Sequence, residues 1–194
     1  MSTCFCSKIR DAVLAKGGTE ATLDQIGQPE SQVFIDNFAD MLVKAELKTR
    51  KVFPVTVDYN RTLEQMISAC ACGYNNPNIT AANFPISGTG IVQQEIILVD
   101  FDHDVESDEV VRELAAMEPT LEPARIEHAL AFGEKYPDVQ RERPVLFLGS
   151  VWGNLFPCLG PWSDLRWLDL QVWHVRWSRF CRFAAIRQSA KATL

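Results

Sequence analysis

The sequence of 194 residues predicts an α+β protein, with a helical N-terminal extension over residues 1–50 and an α+β domain over residues 51–194. Three observations carry that reading. Apolar residues in the first fifty positions recur at helical spacing. Beyond the basic turn "KTRK" (48–51) the pattern shifts to alternation with β-branched residues. Amphipathic helical stretches then separate further strand-like runs, as expected when helices flank a mixed or antiparallel sheet.

In the extension, "DAVLAK" (11–16) is a short helical piece stopped by Gly17 and Gly18. "PESQVFIDNFADMLVKAELK" (29–48) follows, with Pro29 suited to a helix start. Its stripe of Val33, Phe34, Phe38, Met41, Leu42 and Ala45 must pack on something, either a partner or, as expected here, the rest of the chain.

Within the domain, "VFPVTVDY" (52–59) reads as a strand and "RTLEQMISA" (61–69) as a short helix, followed by the turn-rich "CGYNNPNIT" (72–80). "FPISGTGIVQQEIILVDF" (84–101) is a long strand whose apolar end is expected to be buried on both faces. In "DEVVRELAAM" (108–117) Ser107 is the expected N-cap, with Asp108 and Glu109 complementing the helix dipole. "EPARIEHALAFGEKYPDVQ" (122–140) is a helix expected to stop near Gly133 and again at Pro137, with His128 on its surface or boundary. "VLFLGSVW" (145–152) reads as a buried strand, and "LRWLDLQVW" (165–173) and "CRFAAIR" (181–187) as the last strands.

An apolar share of 47% and a charged share of 23% are those of an ordinary globular protein. No apolar run approaches the roughly 20 residues of a membrane span, and the start lacks the apolar core of a signal peptide. A cytoplasmic protein is therefore expected. Residues 151–194 hold six Arg or Lys and two Asp, a net of +4, which leaves a net of −10 on residues 1–150. That acidic majority opposes nucleic-acid binding. The C-terminal arginines are better read as flanking strands and pairing within the chain.

Six cysteines include two C-x-C pairs, Cys4 with Cys6 and Cys70 with Cys72. Four thiolates could hold zinc, but structural sites use wider spacings, and a C-x-C pair closes a tight chelate ring. Reduced thiols are expected, with Cys158 and Cys181 as small buried apolar residues. Asp100, Asp102, Asp104, Glu106, Asp108 and Glu109 surround His103, yet they lack the glycine and closing Glu of a calcium loop. No cofactor is implied. His103, His128 and His174 lie in unrelated contexts, and no nucleophile elbow, phosphate loop or zinc-protease motif is present.

The motifs "PARIEHALAFGEKYP" (123–137), "PVLFLGSVW" (144–152) and "RFAAIR" (182–187), with "VDYNRTLEQMISA" (57–69) and "ITAANFPISGTGIV" (79–92), resemble a group of uncharacterised bacterial proteins whose closing strand reads "RFLAVR". The order of helix, "G-S-x-W" segment, irregular loops and closing strand also resembles the C-type lectin-like fold. It is similar to the formylglycine-generating-enzyme branch and to the variable proteins of diversity-generating retroelements. That resemblance implies a rigid scaffold presenting a C-terminal binding patch. It implies neither calcium-dependent sugar binding nor sulfatase activation, because the corresponding motifs and cysteine pair are missing.

All five tryptophans fall between positions 152 and 177. Strand alternation places Arg166, Leu168, Leu170 and Val172 on one face and Trp167, Asp169, Gln171 and Trp173 on the other. Leu168, Leu170 and Phe183 are expected in a core beside Leu146 and Leu148. Trp152 and Trp177 follow the group's framework pattern, which points them to the core, while Trp162, Trp167 and Trp173 are expected outward. The expected function is non-catalytic binding of a protein or small molecule. The candidate residues are Trp152, Asn154, Trp162, Ser163, Asp164, Trp167, Asp169, Gln171, Trp173, His174 and Arg176. Of these, Trp167, Asp169, Gln171, His174 and Arg176 are expected to form one solvent-facing patch, with Trp173 at its edge and Asn154 and Trp162–Asp164 contributed by loops. The N-terminal helix offers a route to homo-oligomers. An enzyme of unstated reaction and a nucleic-acid-binding module are the competing classes.

Overall fold

The computed structural model describes residues 10–11, 13–21, 36, 51–162 and 165–187. The chain forms two compact units, Met1–Thr49 and Arg50–Leu194. In the first, residues 10–11 and 13–15 are helical and Gly17 takes φ +88°, ending the piece where the glycine pair stands. Most of the stretch 29–48 expected to be helical lies outside the described residues, so its apolar stripe and its route to self-association do as well.

The second unit is built on an eight-stranded sheet. Strand β1 (Lys51–Asp58) runs antiparallel to β3 (Ile91–Asp100), from Lys51 opposite Leu98 to Asp58 opposite Ile91. On the other edge of β3 lies β10 (Arg182–Arg187), so the apolar half Ile96–Val99 is enclosed by strands as well as by helices. The far edge of β10 is shared. Strand β6 (Val145–Leu146) pairs in parallel with Arg182 and Phe183, and β5 (Leu121–Pro123) runs antiparallel to Ala185–Arg187. The sheet continues through β7 (Leu155–Trp162) and β8 (Leu165–Val172), an antiparallel hairpin, to the two-residue edge strand β2 (Tyr74–Asn75). A separate ribbon pairs β4 (Val105–Glu106) with β9 (Arg176–Trp177).

The sheet is covered on both faces except around the start of β3, where Ile91 and Val92 are exposed. Helices α1 (Leu63–Cys70) and α3 (Ile126–Lys135) pack Met66, Leu130 and Phe132 against Val55, Leu98, Ala184, Leu159 and Leu168. Helix α2 (Ser107–Ala116) packs Val110 and Leu114 on the opposite face, with Val99, Leu146, Phe156 and Phe183. A fourth, four-residue helix, α4 (Val139–Glu142), precedes β6. Among the described residues no helix is long and apolar enough to cross a membrane.

Helix α1 starts on a capping box, with Thr62 Oγ1 accepting from Gln65 N–H at 3.3 Å and Gln65 Oε1 accepting from Thr62 N–H at 2.8 Å. It ends at Ala71 in the left-handed region, φ 52°. Its last carbonyls are bonded by Arg166 of β8, one of the few charged residues in the interior. The Arg166 guanidinium donates to the carbonyls of Cys70 and Ala71, both at 2.7 Å, and to Gly133 in α3 at 2.9 Å. One side chain thus satisfies carbonyls near the C-terminal ends of two helices, where the helix dipole favours a cation.

Several expectations change. Gly133 does not stop α3 but lies inside it, where a Cβ would stand 2.5 Å from Cys70 Sγ; the helix ends at Lys135, before Pro137. Ser107 does not cap α2; it is the first helical residue, and its hydroxyl is engaged elsewhere. His128 is buried, not on the surface. In "VLFLGSVW" only Val145 and Leu146 form a strand, and the buried Phe147 continues through a bond from its N–H to the Pro157 carbonyl. Gly149 then passes so close to β5 that a Cβ would meet Pro123 O at 2.3 Å. Leu168 and Leu170 do point inward, but toward α1 and α3. Leu146, Leu148 and Phe183 occupy the opposite face, because Leu168 lies opposite Leu159 whereas Leu146 lies opposite Cys158.

Leu168 is fully enclosed and Leu170 only half-buried. Urea unfolding should therefore show Leu168→Ala losing about 2–5 kcal/mol and Leu170→Ala distinctly less. Equal losses would contradict this assignment of the β8 core face.

Candidate binding surface

The expected site residues separate along the β7–β8 hairpin. At its open end Leu155 pairs with Val172, and Trp173 N–H donates to the Asn154 carbonyl at 2.7 Å. At its turn Trp162 pairs with Leu165. Eight residues of strand β8 place these ends roughly 25 Å apart. Trp152 and Asn154 therefore sit beside Trp173 and His174, whereas Trp162 lies at the far end. Ser163, Asp164 and the Trp162 side chain are outside the described residues.

Two tryptophans belong to the framework. Trp177 is in the core, as its pattern suggests, and its Nε1–H donates to Ser107 Oγ at 2.9 Å. The Ser107 hydroxyl in turn donates to the Trp173 carbonyl at 2.8 Å. Trp173 is half-buried: its ring meets Phe156 edge-on with centroids 5.9 Å apart, and its Nε1–H donates to Asp108 at 3.0 Å. The first turn of α2 is thereby tied to β8 and β9.

Trp167, expected outward, is half-buried in the α2-side core and lies across Gly160, where a Cβ would stand 2.7 Å from its ring. The outward expectation for Trp167 and Trp173 changes because both faces of the sheet are covered, so alternation exchanges one core for another. Asp169 is also occupied, accepting from Asn76 Nδ2 at 2.6 Å and from Leu170 N–H at 2.8 Å. Gln171 is half-buried, and His174 and Arg176 are exposed.

Trp152 reverses the expectation that it joins the core. It stands in a tight turn, its N–H and carbonyl paired with Leu155, and so projects beyond the strand end. Its indole leans edge-on against Phe84, with centroids 6.5 Å apart, and stays 38% exposed. Val151, Val172 and Val175 are 47%, 41% and 38% exposed, an apolar group flanking Asn154 and His174 in the chain. Such exposure is notable in a chain that encloses five phenylalanines completely.

The acidic run is dispersed among separate partners. Asp100 pairs with Arg143 at 2.7 Å, Asp104 accepts from Arg179 N–H at 3.1 Å, and His103 lies between Asp102 and Glu109. The Asp102 carboxylate holds the His103 imidazole above its ordinary pKa. No three His, Cys, Asp or Glu side chains gather as a metal site among the described residues. Cys158 is buried, while Cys181 is half-buried rather than enclosed.

Sequence reasoning missed a polar cluster at the start of α3. Arg125 Nε stands 2.8 Å from Glu127 Oε1, and both Glu127 oxygens are buried without a hydrogen-bond donor among the described residues. Burial raises the Glu127 carboxyl pKa, and burial lowers His128 to about 4. His128 Nδ1 accepts from Arg125 N–H at 2.9 Å, which fixes the neutral ring with its proton on Nε2. Ser150 Oγ accepts from Ile126 N–H at 3.0 Å, so the serine of "LGSVW" serves the helix start. Neither Glu127 nor His128 reaches solvent, so this cluster offers a substrate no approach. Their burial on a polar helix start left no sign in the one-dimensional pattern.

No family model, curated protein or solved structure matches this chain.

His128 sets a pH dependence of stability. Its folded pKa is depressed from 6.5 to about 4, so the unfolded chain takes up the proton first. The stability it contributes is present above pH 6.5 and is lost as pH falls toward about 4. Over that window the loss is on the order of 3 kcal/mol. Glu127, with a raised pKa, contributes the opposite sign, so the comparison is with His128→Gln. Unfolding free energy should fall more steeply for the natural chain than for the variant; parallel curves would contradict a buried neutral imidazole.

Proposed function

We propose that this chain is a non-catalytic binding module of C-type-lectin-like architecture. Its ligand is a protein, taken up on the surface made by the 151–154 turn and the segment from Val172 to Arg176. The observation that carries this reading is the exposed indole of Trp152 beside Val151, on a turn anchored to β7. A large ring held rigidly by its backbone loses little entropy on binding. An apolar centre rimmed by Asn154, His174 and Arg176 has the composition of a protein-binding surface. The order α3, "LGSVW" segment and closing strand β10 supports the lectin-like architecture, although the β7–β8 hairpin stands where irregular loops were expected before residue 165.

Trp173, Trp177 and Ser107 support the surface from beneath. Asp169 and Trp167 act as framework in this reading, so the contact falls on fewer residues than the tryptophan count suggests. Interface hot spots favour Trp and Arg, which makes Trp152 the anchor and Arg176 a rim contact.

The test is selection of a phage-displayed random peptide library on the immobilised full chain. Selected peptides should bind Trp152→Ala at least about tenfold more weakly than the natural chain, a loss of roughly 1.4 kcal/mol. Ile91→Ala, which removes an exposed side chain of β3, should bind them unchanged, and both variants should melt with the natural chain. Failure to retrieve any binder, or peptides indifferent to Trp152, would contradict the proposal.

A further inference from the structure

The pair Cys70 and Cys72 stands apart from that surface. Cys70 closes α1, Ala71 turns the chain in the left-handed region, and Cys72 follows. This turn sets the two Sγ atoms 3.2 Å apart. Cys70 is buried and Cys72 half-buried, with exposed Ala71 and Gly73 on either side of it. Three neighbours shape the site. Gly133 leaves space for Cys70 Sγ, which would otherwise collide with a side chain there. Arg166 holds its guanidinium on the carbonyls of Cys70 and Ala71, bringing a fixed positive charge to the pair. Gln140, fully buried, directs Nε2 toward Cys72 Sγ at 3.9 Å, while its Oε1 has no hydrogen-bond partner among the described residues.

From this geometry we infer that Cys70 and Cys72 form a reversible thiol–disulfide exchange site, in which Cys72 attacks a small-molecule disulfide and Cys70 resolves the product. The roles follow from position. Cys72 is the thiol a reagent can reach, and Cys70 lies behind it within one short movement of bonding distance. The electrostatics agree: the hydrogen bond from Cys70 and the Arg166 charge lower Cys72 to about 7, and the shared proton and burial raise Cys70. Cys70 therefore keeps its proton and donates it to the Cys72 thiolate.

In the first step the Cys72 thiolate attacks one sulfur of glutathione disulfide. A mixed disulfide forms, the glutathione S–S bond breaks, and one glutathione leaves as a thiolate. Cys70 then gives its proton to that leaving thiolate and attacks Cys72 Sγ. The mixed disulfide breaks, the Cys70–Cys72 bond forms, and a second glutathione thiolate leaves and is protonated by water. The two cysteines lose two electrons, and the glutathione disulfide gains them as two thiols. A disulfide between residues i and i+2 closes a small, strained ring, and strained disulfides are readily reduced again. Reversibility is therefore part of the assignment.

The test uses the reduced full chain, glutathione disulfide as the oxidant, acid quenching, alkylation and peptide mass spectrometry. Cys70 and Cys72 should become linked to each other while Cys158 and Cys181 remain alkylatable, and excess reduced glutathione should restore both thiols. Cys70→Ser should trap one glutathione on residue 72, and Cys72→Ser should leave Cys70 unmodified. In the natural chain the rate of Cys72 alkylation by iodoacetamide should follow a titration near pH 7 and exceed that of Cys181, a measurement that needs no variant to fold. A Cys72 that reacts no faster than Cys181, or a stable glutathione adduct on Cys72 in the natural chain, would overturn the assignment.

Discussion

The second unit depends on a positive charge held inside it. Arg166 points from β8 into the interior, forms no ion pair among the described residues, and donates to the carbonyls of Cys70, Ala71 and Gly133. A buried guanidinium is expensive unless its donors are met. Here the partial negative charge near two helix ends meets them, and the same contacts satisfy carbonyls that α1 and α3 would otherwise leave unbonded. The interaction spans 96 and 33 residues of sequence, joining two helices to a strand far along the chain. It constrains its surroundings too. Gly133 must lack a side chain because Cys70 Sγ fills that space, and Gly73 N–H bonds the Arg166 carbonyl from the other side of the turn.

The two chemically distinctive regions hang from this one strand. Near its first residues, β8 holds Arg166 against the Cys70–Cys72 turn. At its last residue, Val172 pairs with Leu155 and leads into the Trp173 anchor on α2. Between them Trp167 and Leu168 face opposite cores, and β2 pairs along the edge. One strand thus joins the Cys70–Cys72 turn to the exposed apolar turn at Trp152.

Much of the fold was legible in the sequence because it rests on local signals. The short helix "RTLEQMISA", the glycine pair after "DAVLAK", the two-sided burial of Ile96–Val99 and the alternating phase of β8 all follow from local sequence signals. What escaped was decided by distant residues. Gly133 looks like a helix stop until Cys70 requires its missing side chain. Ser107 has the composition of a cap, but Trp173 and Trp177 claim its hydroxyl. His128 sits on a polar stretch, and its burial follows from packing that the stretch does not encode. The tryptophans mislead for a related reason: alternation predicts two faces correctly without revealing that both are covered.

Equilibrium urea unfolding of Arg166→Met beside Arg166→Lys tests this most directly. Methionine matches the length but donates nothing, leaving three carbonyls unmet, whereas lysine keeps the charge with a different donor geometry. The account predicts a loss of at least about 3 kcal/mol for methionine and a smaller loss for lysine. A methionine variant as stable as the natural chain would contradict the view that this buried cation ties the helices to the sheet.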